Sequence, residues 1–362
     1  MTDFMTKNKE KLEQFAAMSQ AAGSRSDYVQ GGGGNTSVKL ADGLMAIKAS
    51  GYCLSDIRPD KAYAVLDYEA LRRFYYGNEP AQLADVEKLG SACAKENTKL
   101  IEGMDALRPS VEAGFHSILK TFVCHTHSVY ANLAACSTAC CEIAEKAFNG
   151  ADYTWGWVPY TDPGANLTFA IRDELRRVEE KTGKVPSVIL MQNHGIIVHD
   201  DDAERCLAIH ADANERLAQQ FGVHGDSFPA ISVRQTGEEL YEADTPYLRE
   251  ALKNCRYDYK TFIETPLYPD QMVFLIGTFF MDKEGTPAEG ECYADTKTGA
   301  LVLHMGEKKA KTITETLTAV IFIMDTITKM GYTVSTMGEA AKSFIANWES
   351  EKYRKSLAGK KG

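Results

Sequence analysis

Near the start of the chain apolar residues recur at helical spacing: Leu12, Phe15, Ala16 and Met18 share one side of a helix expected over residues 8–22, which stops at Gly23. Gly31-Gly-Gly-Gly-Asn-Thr-Ser-Val-Lys-Leu then opens as a flexible turn and closes as a strand. Asp42-Gly43 is a hairpin signal, since both residues accept a left-handed backbone, and residues 44–49 read as the returning strand. Helical spacing resumes at 68–75 and 113–120, and residues 121–127 form a short β-like run. Residues 129–148 read as one helix carrying Cys136, Cys140 and Cys141.

The turn-rich segment 150–164 holds Trp155, Trp157, Pro159 and Pro163, and a helix over 166–181 follows it. Residues 185–191 are an apolar run of strand length, broken by Asn193-His194-Gly195 and resumed at 196–198. Asp200-Asp201-Asp202 suits the cap and first turn of a helix over 203–221, where carboxylates meet the positive end of the helix dipole. After residue 225 the texture changes: Pro229, Pro246 and Pro266 precede β-like runs at 271–281 and 300–304, and helices are expected near 309–330 and 337–357. This places a boundary near residue 235, between residues 1–235 and a smaller α/β extension over 236–362.

Composition narrows the class. With 362 residues, 44% hydrophobic and 25% charged, the chain is an ordinary globular protein with a large core. A formal net charge of -10 argues against a general nucleic-acid or anionic-membrane binder, whose phosphates demand clustered Lys and Arg. No apolar run approaches the roughly 20 residues of a membrane-spanning helix, and the charged N-terminus lacks the apolar core of a secretory signal. The nine cysteines form no Cys-x-x-Cys pair, and buried reduced thiols are their common use. A reduced, cytoplasmic setting is expected.

His125 and His127 flank one residue of a strand-like run, so their side chains share a face and can converge on one ion. A catalytic metal centre usually has three protein ligands and an open position, and His194 is the best third ligand, since it interrupts an apolar strand. Three unrelated core histidines are the competing reading. Glu112 stands near the start of a helix, where a carboxylate is favourable in itself; beside a metal it would be a fourth ligand or a general base. Gly31 to Ser37 could form an anion nest from backbone N–H groups, although it has neither the spacing of the nucleotide phosphate loop nor Gly-x-Gly-x-x-Gly opening a helix. Ser50-Gly51 could add a hydroxyl and an N–H.

Taken in order, Gly34-Asn35-Thr36-Ser37, Ser50-Gly51, Ser110-Val111-Glu112, His125-Thr-His127 and Asn193-His194-Gly195 resemble the motifs of the class II aldolase/adducin family over residues 31–220. The resemblance implies an α/β/α sandwich around a central mixed or antiparallel sheet, and a homotetramer with sites between subunits. It implies a Zn2+ ion, or another divalent metal, on His125, His127 and His194, with Glu112 as the proton-transfer group. Gly34, Asn35, Ser37, Ser50, Gly51 and Ser110 would bind the phosphate of a sugar-phosphate substrate. Tyr160, four residues before Gly164, matches a tyrosine that reaches the site from a neighbouring subunit. Val111 departs from the pattern, standing where the family often has a second phosphate-binding serine.

The long glycine run and the ending Trp348-Glu-Ser-Glu-Lys-Tyr-Arg look most like the aldolase half of bifunctional rhamnulose-phosphate aldolase/lactaldehyde dehydrogenase proteins, without the dehydrogenase half. The activity implied is retro-aldol cleavage of a rhamnulose- or fuculose-type ketose 1-phosphate to dihydroxyacetone phosphate and an aldehyde. A 4-epimerase or dehydratase on the same scaffold is the alternative. A non-catalytic head like that of adducin is a remoter one, because such heads lack the metal histidines.

Overall fold

A computed structural model describes residues 3–347. Strands β1 (Asn35–Lys39), β2 (Leu44–Lys48), β3 (Tyr63–Asp67), β4 (Thr98–Lys99), β5 (Phe122–Thr126), β6 (Trp155–Val158), β7 (Val188–Met191) and β8 (Gly195–Asp200) form one sheet in the order β4-β3-β2-β1-β5-β8-β7-β6. All its neighbours are antiparallel except β6 and β7. Every residue of β1, β5, β7 and β8 is buried, which requires helices on both faces. Cys124, Leu190, Ile196 and Val198 face one core, under the helices Lys9–Gly23, Val129–Ala135 and Ala203–Gln219. Their neighbours Val123, Ile189 and Ile197 face the opposite core, under Ala113–Ile118 and Ala165–Thr182. The period-two alternation of the strands thus builds the α/β/α sandwich that the motifs implied.

A second sheet follows: β9 (Val233–Gly237), β10 (Leu240–Ala243), β11 (Phe279–Met281), β12 (Cys292–Asp295) and β13 (Ala300–His304), ordered β11-β12-β13-β10-β9. The long helix Glu307–Lys329 packs on β9 and β10 and also on the helix Val129–Ala135 of the first sheet's layer. One apolar core therefore runs unbroken from Leu12 to Ile327. None of the described helices is long and apolar enough to cross a membrane.

The structure departs from the pattern-based expectations at several places. Residues 129–148 are two helices, Val129–Ala135 and Cys140–Ala147, so Cys136 does not share a helix with Cys140 and Cys141. At the break, Ser335 N–H donates to the Cys136 carbonyl at 2.7 Å and Thr138 N–H to that of Thr333 at 3.0 Å. A distant segment takes the backbone groups that a continuous helix would have used. The apolar run 271–281 is the helix Pro269–Leu275 followed by the short β11; Pro at a first helical turn is favourable, and apolar spacing alone does not separate helix from strand. Strands β9 and β10 carry little apolar signal because most of their residues remain partly exposed. The last helix begins at Glu339 and is described to Asn347; the remainder of the expected helix, with the Trp348 motif, lies outside the described residues.

Candidate metal centre

The centre forms where β5 ends between β1 and β8. Asn35 of β1 pairs with His125 of β5, and His125 pairs with Ile197 of β8. His127 follows immediately after β5, and His194 sits in the tight turn joining β7 to β8. Asn193 in that turn is left-handed at φ 51°. At Gly195 a Cβ would fall 2.3 Å from the Thr126 carbonyl oxygen, so only glycine allows the turn to lie against β5. Gly34 does the same from the other side: its φ is 65°, and a Cβ would fall 2.6 Å from the His125 carbonyl.

All three imidazoles are buried, at 0%, 6% and 3% exposure for His125, His127 and His194. One ring nitrogen from each lies within 4.8 Å of the others, among the described residues the one such cluster of potential ligand groups. The Nε2 atoms of His125 and His127 are 3.2 Å apart. Two nitrogens bound about 2.05 Å from a tetrahedral ion would stand about 3.3 Å apart. Protonation follows from the partners. His125 Nδ1 donates to the Ile196 carbonyl at 3.0 Å, and His127 Nδ1 faces the Asp270 carboxylate at 2.5 Å. Both Nε2 lone pairs are then left facing each other, which a shared cation satisfies. Burial, strongest at His125, pushes its pKa down to about 3, so the ring is neutral and able to ligate.

Glu112 closes the centre from the start of the helix Ala113–Ile118. Its Oε1 is 3.3 Å from His194 Nε2 and its Oε2 is 3.6 Å from His125 Nε2. The buried Oε1 makes no hydrogen bond among the described residues, whereas Oε2 accepts from Asn35 Nδ2 at 2.5 Å. Three imidazoles and one carboxylate with an unsatisfied buried oxygen match the donor set of a divalent cation.

The other residues singled out in the sequence divide into two groups. Asn35 and Ser110 join the centre: Asn35 Nδ2 also donates to Ser110 Oγ at 3.2 Å. Ser50 and Gly51 lie alongside, because Ser50 N–H donates to the Arg108 carbonyl at 2.9 Å and Ala49 bridges Pro109. Ser110 also lines a cavity of about 1320 Å³ that reaches toward Tyr75, Lys95 and Gly164. Ser37 stands apart. It is fully buried, and its hydroxyl meets His116 Nδ1 at 2.7 Å, while His116 Nε2 contacts Asn35 Oδ1. His116 thus buttresses Asn35 from behind. Tyr160 packs among Met272, Met337, Ala341 and Ile345, and burial raises its hydroxyl pKa. Sequence reasoning missed Asp270, because a single Asp beside a run read as β-like carries no signal.

Comparison with known proteins bears on this geometry. The family model of the class II aldolase and adducin N-terminal domain matches residues 13–221. No curated protein matches the chain in sequence. Solved structures that resemble it include the N-terminal class II aldolase domain of a Thermoplasma acidophilum protein, at 20% identity and TM-score 0.47, covering 57% of this chain and 92% of that one. An L-fuculose 1-phosphate aldolase from Glaciozyma antarctica follows at 12% identity and TM-score 0.39, covering 62% and 76%. One from Thermus thermophilus stands at 15% identity and TM-score 0.34, covering 58% and 93%.

Proposed function

The chain belongs to the class II aldolase and adducin family, and from that premise we propose that it is a metal-dependent aldolase cleaving a ketose 1-phosphate of the rhamnulose or fuculose type to dihydroxyacetone phosphate and an aldehyde. The observation that carries the reading is the convergence of His125, His127 and His194 with Glu112 in one buried centre. An adducin-like head would need no such donor set.

His125, His127 and His194 would hold a divalent cation, Zn2+ or a similar ion, which supplies a Lewis acid for the charge left when the C3–C4 bond breaks. Glu112 would hand a proton to C3 during cleavage and remove it during synthesis; its Asn35 bond holds the carboxylate in place for that transfer. Tyr160 would exchange a proton with the C4 hydroxyl in a homotetramer with sites between subunits. Its raised pKa keeps the phenol protonated, which suits it to donate to the aldehyde oxygen in the synthetic direction. Gly34, Ser50, Gly51 and Ser110 would anchor the phosphate. Asn35 is held by Glu112 and Ser37 by His116, so their share in that task would require those bonds to open.

The test is metal content and triose release, on wild type and on His125→Ala/His127→Ala, with rhamnulose 1-phosphate and fuculose 1-phosphate as substrates. Near-stoichiometric zinc and dihydroxyacetone phosphate, both lost in the double variant, are the expected result. A stereoisomer or an enol as product would move the assignment to an epimerase or a dehydratase. A metal-loaded protein inert on every ketose 1-phosphate would refute the aldolase reading.

A further inference from the structure

The family match ends at residue 221, yet later residues reach into the metal centre. Asp270, in the first turn of the helix Pro269–Leu275, is 1% exposed and sets its Oδ2 2.5 Å from His127 Nδ1. Room for this pair is made by Gly33, where a Cβ would fall 2.3 Å from Asp270 Oδ2 and 3.0 Å from His127 Nδ1. The turn before the helix is fixed from within: Leu267 N–H donates to Gln271 Oε1 at 2.8 Å, and Gln271 Nε2 donates to the Phe262 carbonyl at 2.8 Å. It is tied to the glycine-rich segment by Tyr268, whose hydroxyl donates to Gln30 Oε1 at 3.2 Å. The Leu267 carbonyl in turn accepts from Asn193 Nδ2 at 2.8 Å, so the same short segment grips the turn that carries His194.

We propose that the C-terminal segment is a working part of the metal centre, in which Asp270 is a positioning residue that sets the orientation and tautomer of His127 and thereby the affinity for the ion. The inference rests on reading the three histidines as a metal site. A carboxylate on Nδ1 keeps the proton there, leaves the Nε2 lone pair free and makes the ring a stronger donor; outer groups of this kind are worth roughly 10- to 100-fold in metal affinity. The pair is buried, so solvent does not screen it. The helix bearing Asp270 packs against Glu307–Lys329, which places the carboxylate on a rigid support.

The experiment is competition of Zn2+ between a chromophoric chelator and the full chain, with Co2+ absorption read in parallel as a report on ligand geometry. Wild type is compared with Asp270→Asn, Asp270→Ala and a control, Asp258→Ala. The control removes the cap of the helix Tyr259–Glu264, in the same part of the chain, from an exposed position outside the metal centre. Asp270→Asn, nearly isosteric, is expected to fold and to bind Zn2+ roughly 10- to 100-fold more weakly with an altered Co2+ spectrum, while the control keeps wild-type values. Asp270→Asn with wild-type affinity and spectrum would overturn the role of Asp270. A wild type that binds neither ion would overturn the metal centre itself, and with it this inference.

Discussion

Asn193→Gly and Asn193→Ala together test whether the His194 turn is held by the C-terminal segment. Asn193 is 1% exposed and makes three side-chain hydrogen bonds there: Nδ2 to the Leu267 carbonyl and to the Ser335 carbonyl, both at 2.8 Å, and Oδ1 from Ser335 Oγ at 3.1 Å. At a net worth of about 1 kcal/mol each, their loss in Asn193→Gly costs roughly 3 kcal/mol. Asn193→Ala loses the same bonds and must also hold Ala at φ 51°, where an L side chain is strained, adding about 1 kcal/mol over Gly. Urea unfolding with metal removed by a chelator isolates this contribution from ion binding. Gly should unfold earlier than wild type, and Ala earlier than Gly. If both variants stay within about 0.5 kcal/mol of wild type, the clamp does not contribute to stability. If Ala equals Gly, the left-handed turn is not enforced.

Glu112→Gln should lower turnover by about 10²–10⁴-fold. The protein should still bind zinc, since three imidazoles remain; complete loss of the ion would make Glu112 a structural ligand instead. Gly195→Ala would drive a Cβ to 2.3 Å from the Thr126 carbonyl, and zinc titration should show metal binding lost or severely weakened. The buried His210 has a pKa pushed down to about 3 by burial. Its folded value lies below the unfolded one near 6.5, so below about pH 6.5 the unfolded chain takes up a proton that the folded chain refuses. Stability should therefore fall as pH drops toward 3, and His210→Gln should flatten the slope of unfolding free energy by about 1.4 kcal/mol per pH unit between pH 4 and 6. An unchanged slope would mean that His210 is protonated in the folded protein.

Much of the centre could be read before any coordinates. His125-Thr-His127 on a strand announces two side chains on one face, and Asn193-His194-Gly195 announces a turn that an apolar strand does not otherwise need. The hairpin at Asp42-Gly43 forms as expected, with φ 58° and 70°, because its turn chemistry is local. The Asp202 side chain caps its helix at the Arg205 N–H for the same reason. Such features depend on neighbours a few residues away, and the sequence records those neighbours directly.

What tertiary structure decided depends on distant partners. Whether Ser37 faces a ligand or His116 turned on how a helix start packs over β1, with the two residues 79 positions apart. The break at Cys136 exists because residues 333–335 lie beside it. Asp270 reaches His127 across 143 positions, and Glu315 accepts the Gly31 N–H at 3.0 Å across 284. The sequence by itself determined which residues can ligate an ion and which local turns present them. The tertiary structure decided which carboxylate stands behind His127, because hydrogen bonding between distant segments is set by packing of the whole core and leaves no periodicity in the chain.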